Sequence, residues 1–280
     1  MKISRISETP FHTIAYEVVT AGAKRIVPAT LPLLDAVVDH LPTGVEAIVV
    51  AADLQGREPR WQAASSPAAT EPRLLGELLA DELEVLSEID ALPALDKVGV
   101  ILAGDMFAKP DLSGRGGKGD VRGVWHAFAR ECRWVVGVAG NHDAYTANPS
   151  PPPPAQVVFD KEPGLHLLDG DCVDLDGMSV AGISGIVGNP RRPWRRDEPA
   201  FAAAVRKLAS DAPEILVLHD GPDVADTDLR GWKSIRKAIE SAPPQLVIRG
   251  HDHWTTPLGT LANGSQVLNV DSRVVVLRTE

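Results

Sequence analysis

The segment Trp134–Asp143 has the sequence WVVGVAGNHD, in which an apolar run ends at a glycine and is followed by polar residues. The run is short and rich in valine, which is typical of a buried strand. Asn141, His142 and Asp143 follow where this strand would end, and amide, imidazole and carboxylate groups are all metal ligands. The segment therefore predicts a strand that delivers metal-binding side chains to one edge of a sheet.

Other apolar runs end in the same way. The predicted strands Val45–Ala51, Val98–Ala103, Ile215–Leu218 and Leu246–Ile248 lead to Asp53, to Asp105, to His219, and to His251 and His253. Predicted helices alternate with the strands, at Glu71–Leu92, Val121–Arg130, Pro199–Ala209 and Gly231–Ser241. This alternation indicates an α/β fold with at least partly parallel sheets, in which ligands bind at the carboxyl ends of the strands.

The motifs together resemble the calcineurin-like metallophosphoesterase family, whose pattern is D-x-H, G-D, G-N-H-D/E, a lone His and G-H-x-H. The resemblance extends from about Val45 to Leu277, and each motif follows a predicted strand. It implies a four-layer α/β/β/α sandwich with a metal site at the strand C-termini. The implied reaction is phosphoester hydrolysis by a metal-bound hydroxide, with His142 as the general acid. Asp143 is a candidate catalytic residue, although orienting the turn is its favoured role.

The resemblance also implies which residues hold two divalent ions. Asp105 would bridge the ions, Asp53, Gln55 and His253 would complete the first site, and Asn141, His219 and His251 would complete the second. The family usually has histidine at position 55, where this chain has glutamine. A neutral amide oxygen binds Zn²⁺ or Fe more weakly than imidazole does, so the first site is expected to be the weaker one or to be lost. Manganese is the expected metal, with iron, zinc, magnesium and nickel as alternatives.

Candidate substrate-binding residues lie outside these motifs. Arg57 is two residues beyond Gln55, and Arg191 and Arg192 belong to a segment with four arginines around Trp194. They could bind a substrate phosphate, or they could pair with local acids and remain solvated. The glycine-rich segment Arg115–Gly119 lacks the spacing of a phosphate-binding loop, so a surface loop is the favoured interpretation.

Composition restricts the choice of substrate and location. The 280 residues carry a net charge of −10, which disfavours binding to long nucleic acid. We expect a small phosphorylated substrate, either a phosphodiester or a nucleotide, rather than a phosphoprotein. The two cysteines are far apart, no apolar run is long enough for a membrane helix, and the first residues lack a signal-peptide pattern, so a cytoplasmic location is expected. The oligomeric state stays open.

Two alternatives to a small-molecule phosphoesterase remain: a nuclease that processes nucleic-acid ends, and a non-catalytic scaffold of the same fold. In the domain organisation we expect, residues 45–280 form the metallophosphoesterase domain. Residues 1–44 form an N-terminal segment that packs on the core or precedes it, and Leu31–Leu41 has helix-like spacing. The pattern also predicts a hairpin or meander at Gly164–Ile183 and closing strands within Thr256–Leu277.

Overall fold

The computed structural model describes residues 1–20, 25–60, 71–114, 117–146, 153–243 and 245–280. Their strands, in chain order, are β1 (Ile3–Ile6), β2 (His12–Val19), β3 (Ile26–Val38), β4 (Ala47–Ala52), β5 (Val98–Leu102), β6 (Gly119–Asp120), β7 (Trp134–Gly137), β8 (Asp143–Ala144), β9 (Leu165–Leu167), β10 (Asp171–Leu175), β11 (Met178–Ile183), β12 (Ile186–Val187), β13 (Arg195–Arg196), β14 (Ile215–Leu218), β15 (Leu246–Arg249), β16 (Leu258–Thr260), β17 (Gln266–Asn269) and β18 (Arg273–Arg278). Their α-helices are α1 (Leu75–Glu88), α2 (Arg122–Ala129), α3 (Ala155–Val158), α4 (Glu198–Ser210) and α5 (Lys233–Glu240), with a short 3₁₀ helix at Leu95–Lys97.

Two large sheets form the centre of the molecule. The first has the strand order β1-β3-β18-β4-β5-β7-β9, with β2 paired to β3, and the second has the order β10-β11-β14-β15-β17-β16. Within each sheet the inner strands that precede the motifs run parallel, from β4 to β9 and from β11 to β17. Parallel neighbours end at the same edge, so the segments that follow them meet there.

Side chains alternate between the two faces of each strand, and this alternation builds four layers. Val49 and Val100 of the first sheet pack with Leu79 of α1 and Trp125 of α2. Between the sheets, a second core contains residues such as Ile101 and Val217. A third core joins the outer face of the second sheet to α4 and α5. The predicted four-layer α/β/β/α sandwich is therefore confirmed.

The helix predicted at Leu31–Leu41 is wrong, because these residues belong largely to β3. Residues 26–33 of this strand pair antiparallel with β2, and residues 33–37 pair in parallel with β18 on the other side. Leu31 and Leu33 are fully buried while Pro32 between them is less so, which is a strand pattern rather than a helical one. Pro28 and Pro32 also lack the backbone N–H that an interior helical position needs.

The first sheet is continuous across the expected boundary between residues 44 and 45, since β1–β3 share it with β4. The predicted hairpin within Gly164–Ile183 is β10–β11, and the closing strands are β16, β17 and β18. In the described part of the chain, no helix is both long enough and apolar enough to cross a membrane.

Candidate metal centre

The metal-binding residue types converge on Asp105, which follows β5. Its Oδ1 accepts a hydrogen bond of 2.9 Å from the backbone N–H of His142, and its Oδ2 lies 3.4 Å from Nε2 of His219. The backbone approaches very closely here, because a Cβ added at Gly140 would lie 2.0 Å from Asp105 Oδ1. Glycine at that position therefore allows the turn after β7 to contact the turn after β5.

Several of these turns use left-handed backbone conformations. Asp53, Asp105 and His251 have φ angles of 53°, 58° and 69°. Such angles cost free energy for residues with a Cβ, and they persist where the surrounding structure holds them. At the turn after β15, the Oδ2 of Asp53 accepts a 2.8 Å hydrogen bond from the backbone N–H of His251. These backbone contacts hold segments from both sheets against one another.

One compact group of donors has the features of a metal site. Ligand atoms of Asp105, His219 and His251 all lie within 4.8 Å of one another. The ring nitrogen Nδ1 of His219 donates a 2.8 Å hydrogen bond to the carbonyl oxygen of Ala103, so Nε2 is the nitrogen that faces the group. His219 Nε2 and Asn141 Oδ1 are both buried without a hydrogen-bond partner. Buried polar atoms without partners are costly, and a cation at this position would satisfy them, so these residues fit a divalent metal.

The electrostatics of the group also favour a cation. Burial acts to lower the pKa of His219, but the charges of Asp105 and Asp53 outweigh it and raise the pKa to about 10. Burial acts to raise the pKa of Asp105, but the neighbouring His219 and His142 outweigh it and lower the pKa to about 2. The pKa of Asp53 is raised well above its ordinary value, mainly by burial. Clustered buried carboxylates attract positive charge, which a metal ion supplies.

The first expected site, formed by Asp53, Gln55 and His253 beside Asp105, lacks the compact arrangement of the second. Gln55 directs its Nε2 toward the carboxylate of Asp105 and donates a 2.8 Å hydrogen bond to Oδ2. An amide N–H therefore contacts the carboxylate that would contribute to both sites. Asp53 and His253 lie outside the compact group formed by the described residues.

His253 is the most solvent-exposed of the predicted ligands. Its side chain is 61% exposed, with Nδ1 3.8 Å from Oδ1 of Asp271 and Nε2 3.5 Å from Nη2 of Arg273. Arg273 is itself buried and donates to the carbonyl oxygen of Trp254. The positive charge of this guanidinium group, beside the imidazole of His253, opposes the binding of a metal ion in the first site. The first site therefore fits a metal ion less well than the second site does.

The turn between β7 and β8 presents His142 and Asp143 in different ways. His142 is partly exposed, its Nδ1 lies 2.6 Å from the carbonyl oxygen of Gly117, and its Nε2 is 3.9 Å from Asp105 Oδ2. Asp143 is buried and accepts backbone hydrogen bonds of 2.8 Å from Asp105, Met106 and Gly140. Burial, with the charge of Asp105, raises the pKa of Asp143 to about 6. The contacts of Asp143 are those of a residue that holds the turn together.

Comparison with known proteins identifies the family of the chain. A family model described as calcineurin-like phosphoesterase matches residues 47–255. The chain belongs to the calcineurin-like phosphoesterase family. The chain is similar to the sulfate thiohydrolase SoxB of Thermus thermophilus, solved in complex with glycerol, at 15% identity and a TM-score of 0.41. That similarity covers 84% of this chain and 53% of SoxB, so the chain spans about half of SoxB's length. No curated protein sequence matched the chain.

The predicted substrate-binding arginines do not share one environment. Arg57 is buried, and its guanidinium donates to the carbonyl oxygens of Pro72 and Ala108. These contacts connect two backbone segments and do not support the predicted role in substrate binding. Arg191 and Arg192 are exposed on the loop between β12 and β13, where they line a cavity of about 570 Å³.

Two further acidic residues reach the candidate metal centre without having been predicted as site residues. Asp220 follows His219 and accepts hydrogen bonds from Val187 N–H at 3.0 Å and Trp232 Nε1–H at 2.7 Å. Asp271 comes two residues after β17, and its charge contributes to the raised pKa of Asp53. Both follow apolar strand sequences, which is the same pattern that predicted His219 and His251, so this pattern could have predicted them as well.

Proposed function

We propose that the protein hydrolyses a small phosphodiester or nucleotide-type phosphoester in a reaction that requires a divalent metal ion. Membership in the calcineurin-like phosphoesterase family supports metal-dependent phosphoester hydrolysis in general. The observation that supports it best is the pair of buried, unpartnered ligand atoms, Asn141 Oδ1 and His219 Nε2, beside Asp105. With His251, these residues would hold the ion. When bound, such an ion supplies a Lewis acid for the phosphoryl oxygens and a nucleophilic water at neutral pH.

The protein's own groups have separate roles in this proposal. The carbonyl oxygen of Gly117 accepts from Nδ1 of His142 and so orients the ring, which leaves Nε2 to donate a proton to the leaving oxygen. Asp143 keeps the turn in position through its three backbone contacts. Asp220, hydrogen-bonded to Val187 and Trp232, adds negative charge near His251.

Room for an organic substrate adjoins this centre. A cavity of about 760 Å³ has His251, Asp220 and Trp232 in its lining. Pockets that hold small molecules are on the order of 300–1,000 Å³, so a nucleotide-sized ligand would fit. This volume favours a small organic phosphoester over a long polymer, as does the net charge of −10.

The proposal is tested with a panel of phosphomonoesters, phosphodiesters, cyclic nucleotides and dinucleotides and the Mn²⁺-loaded protein. We expect metal-dependent hydrolysis of at least one class, with both metal content and activity lost in His219→Ala. His126→Ala is the matched control, because this histidine is exposed on α2 and contacts Glu162. Full activity in His219→Ala, or no hydrolysis of any class by metal-loaded protein, would contradict the proposal.

A further inference from the structure

Two cations approach the turn at His142 and Asp143 from different parts of the chain. Lys118 follows Gly117, whose carbonyl oxygen contacts Nδ1 of His142 at 2.6 Å. It precedes β6, which pairs in parallel with β8 so that Gly119 lies opposite Asp143. The backbone of Lys118 therefore runs alongside the turn that presents the proposed proton donor.

Arg195 belongs to the two-stranded sheet of β12 and β13, and its neighbour Trp194 contacts the same turn. It follows Trp194, a buried residue whose Nε1–H donates a 3.1 Å hydrogen bond to the carbonyl oxygen of Asp143. It also begins β13, which pairs with β12, and Val187 of β12 donates its N–H to Asp220 beside the metal centre. Residues next to Arg195 in the chain and in the sheet therefore contact both the turn of His142 and Asp220.

The two cations are near one another and near the carboxylates of the centre. Partial burial of the otherwise exposed Lys118 side chain lowers its pKa and so does the charge of Arg195, while Asp105 and Asp143 act to raise it. In the ranges that the structure describes, neither side chain has an ion pair or a side-chain hydrogen bond. The adjacent Arg196 differs, because it contacts both carboxylate oxygens of Asp169 at 2.8 Å.

Space for a ligand group lies next to Arg195. The cavity of about 570 Å³ at the arginine loop has Arg195 and Trp194 in its lining. In a chain with a net charge of −10, two neighbouring cations without acidic partners attract an anion. A guanidinium and an ammonium group together suit phosphate or carboxylate oxygens.

We propose that Lys118 and Arg195 form an anion subsite, which binds a second anionic group carried by the substrate. Because both cations adjoin the turn of His142, that group belongs to the leaving portion of the phosphoester. The substrate is therefore a phosphoester with a further phosphate or carboxylate, such as a phosphorylated nucleotide or sugar. This inference rests on the proposed phosphoesterase function and narrows its substrate class.

The test measures binding by calorimetry, so that it does not depend on turnover. The probes are propylphosphonate and propylenediphosphonate, which have the same carbon chain and differ by one anionic group that cannot be hydrolysed. The Mn²⁺-loaded protein is compared with Lys118→Gln/Arg195→Gln at constant free Mn²⁺. Lys207→Gln/Lys237→Gln is the matched control, because it removes the same charge from exposed positions on α4 and α5.

We expect the unaltered protein to bind the diphosphonate about tenfold or more tightly than the monophosphonate, since charge-assisted contacts contribute on that order. The preference should disappear in Lys118→Gln/Arg195→Gln and persist in the control. Equal affinity of the unaltered protein for both probes, or a preference that survives in Lys118→Gln/Arg195→Gln, would overturn the subsite.

Two measurements separate this result from other failures. Metal content and the thermal midpoint are determined for each variant, and Lys118→Gln alone, at an exposed position, should lower the preference even if the double variant does not fold. If the protein prefers the diphosphonate but hydrolyses no phosphoester, the subsite stands and the proposed function fails. If it hydrolyses esters without any such preference, the function stands and the subsite fails.

Discussion

The substitution Gln55→His examines how the chain's departure from its family affects metal binding. In the unaltered protein, Gln55 Nε2–H donates at 2.8 Å to Oδ2 of Asp105, the carboxylate that would contribute to both sites. An ion in the first site would compete with this amide N–H for the carboxylate of Asp105. Histidine at position 55 would remove the competing donor and offer a nitrogen lone pair.

The size of the effect follows from that hydrogen bond. A hydrogen bond to a charged group contributes about 1.5–3 kcal/mol, and about 1.4 kcal/mol corresponds to tenfold in a binding constant. We therefore expect the first site to bind Mn²⁺ on the order of 10- to 100-fold more weakly than the site of Asn141, His219 and His251. Gln55→His should recover much of this difference in affinity, although Arg273 beside His253 still opposes an ion in the first site.

Calorimetric titration of the metal-free protein with Mn²⁺ measures both affinities. Electron paramagnetic resonance of the same samples distinguishes isolated Mn²⁺ from coupled pairs. Gln55→Ala is the control, because it removes the amide donor without adding a ligand. Two ions bound with equal affinity in the unaltered protein, together with no change in Gln55→His, would refute the reasoning and remove Gln55 from the metal environment.

Other predictions address the remaining roles. Removing metal with a chelator should abolish phosphoester hydrolysis and added Mn²⁺ should restore it; undiminished activity after chelation would contradict the metal requirement. His142→Ala should lower kcat about 10²- to 10⁴-fold for esters with poor leaving groups and much less for p-nitrophenyl esters, with metal content unchanged. Equal losses for both ester types would exclude proton donation. Asp143→Ala should lower the free energy of unfolding by about 3 kcal/mol, measured by urea denaturation, because three buried N–H groups lose their acceptor. Arg191→Gln/Arg192→Gln should raise KM more for a nucleotide substrate than for a small generic ester; equal KM changes would identify these arginines as solvated.

The convergence of the candidate metal ligands could be predicted in outline because its information is local. Each ligand type directly follows an apolar strand sequence, and parallel strands necessarily end at a common edge of their sheet. Asp105, His219 and His251 were found in this way, and the structure groups their ligand atoms within 4.8 Å. The glycine before Asn141 was equally informative, since only a residue without a Cβ allows that close backbone approach.

Features that depend on distant pairing could not be predicted from the sequence. The strand β3 pairs with β18 near the other end of the chain as well as with the neighbouring β2, and no local pattern contains the pairing with β18. Arg57 lies close to Gln55 in sequence, yet its guanidinium contacts the backbone of Ala108. Lys118 belongs to a glycine-rich segment without a recognisable motif, and only the pairing of β6 with β8 brings it to the turn of His142. The sequence by itself therefore determined which ligand types end the strands. The tertiary structure decided which neighbouring charges surround them, because those contacts join residues that are far apart along the chain.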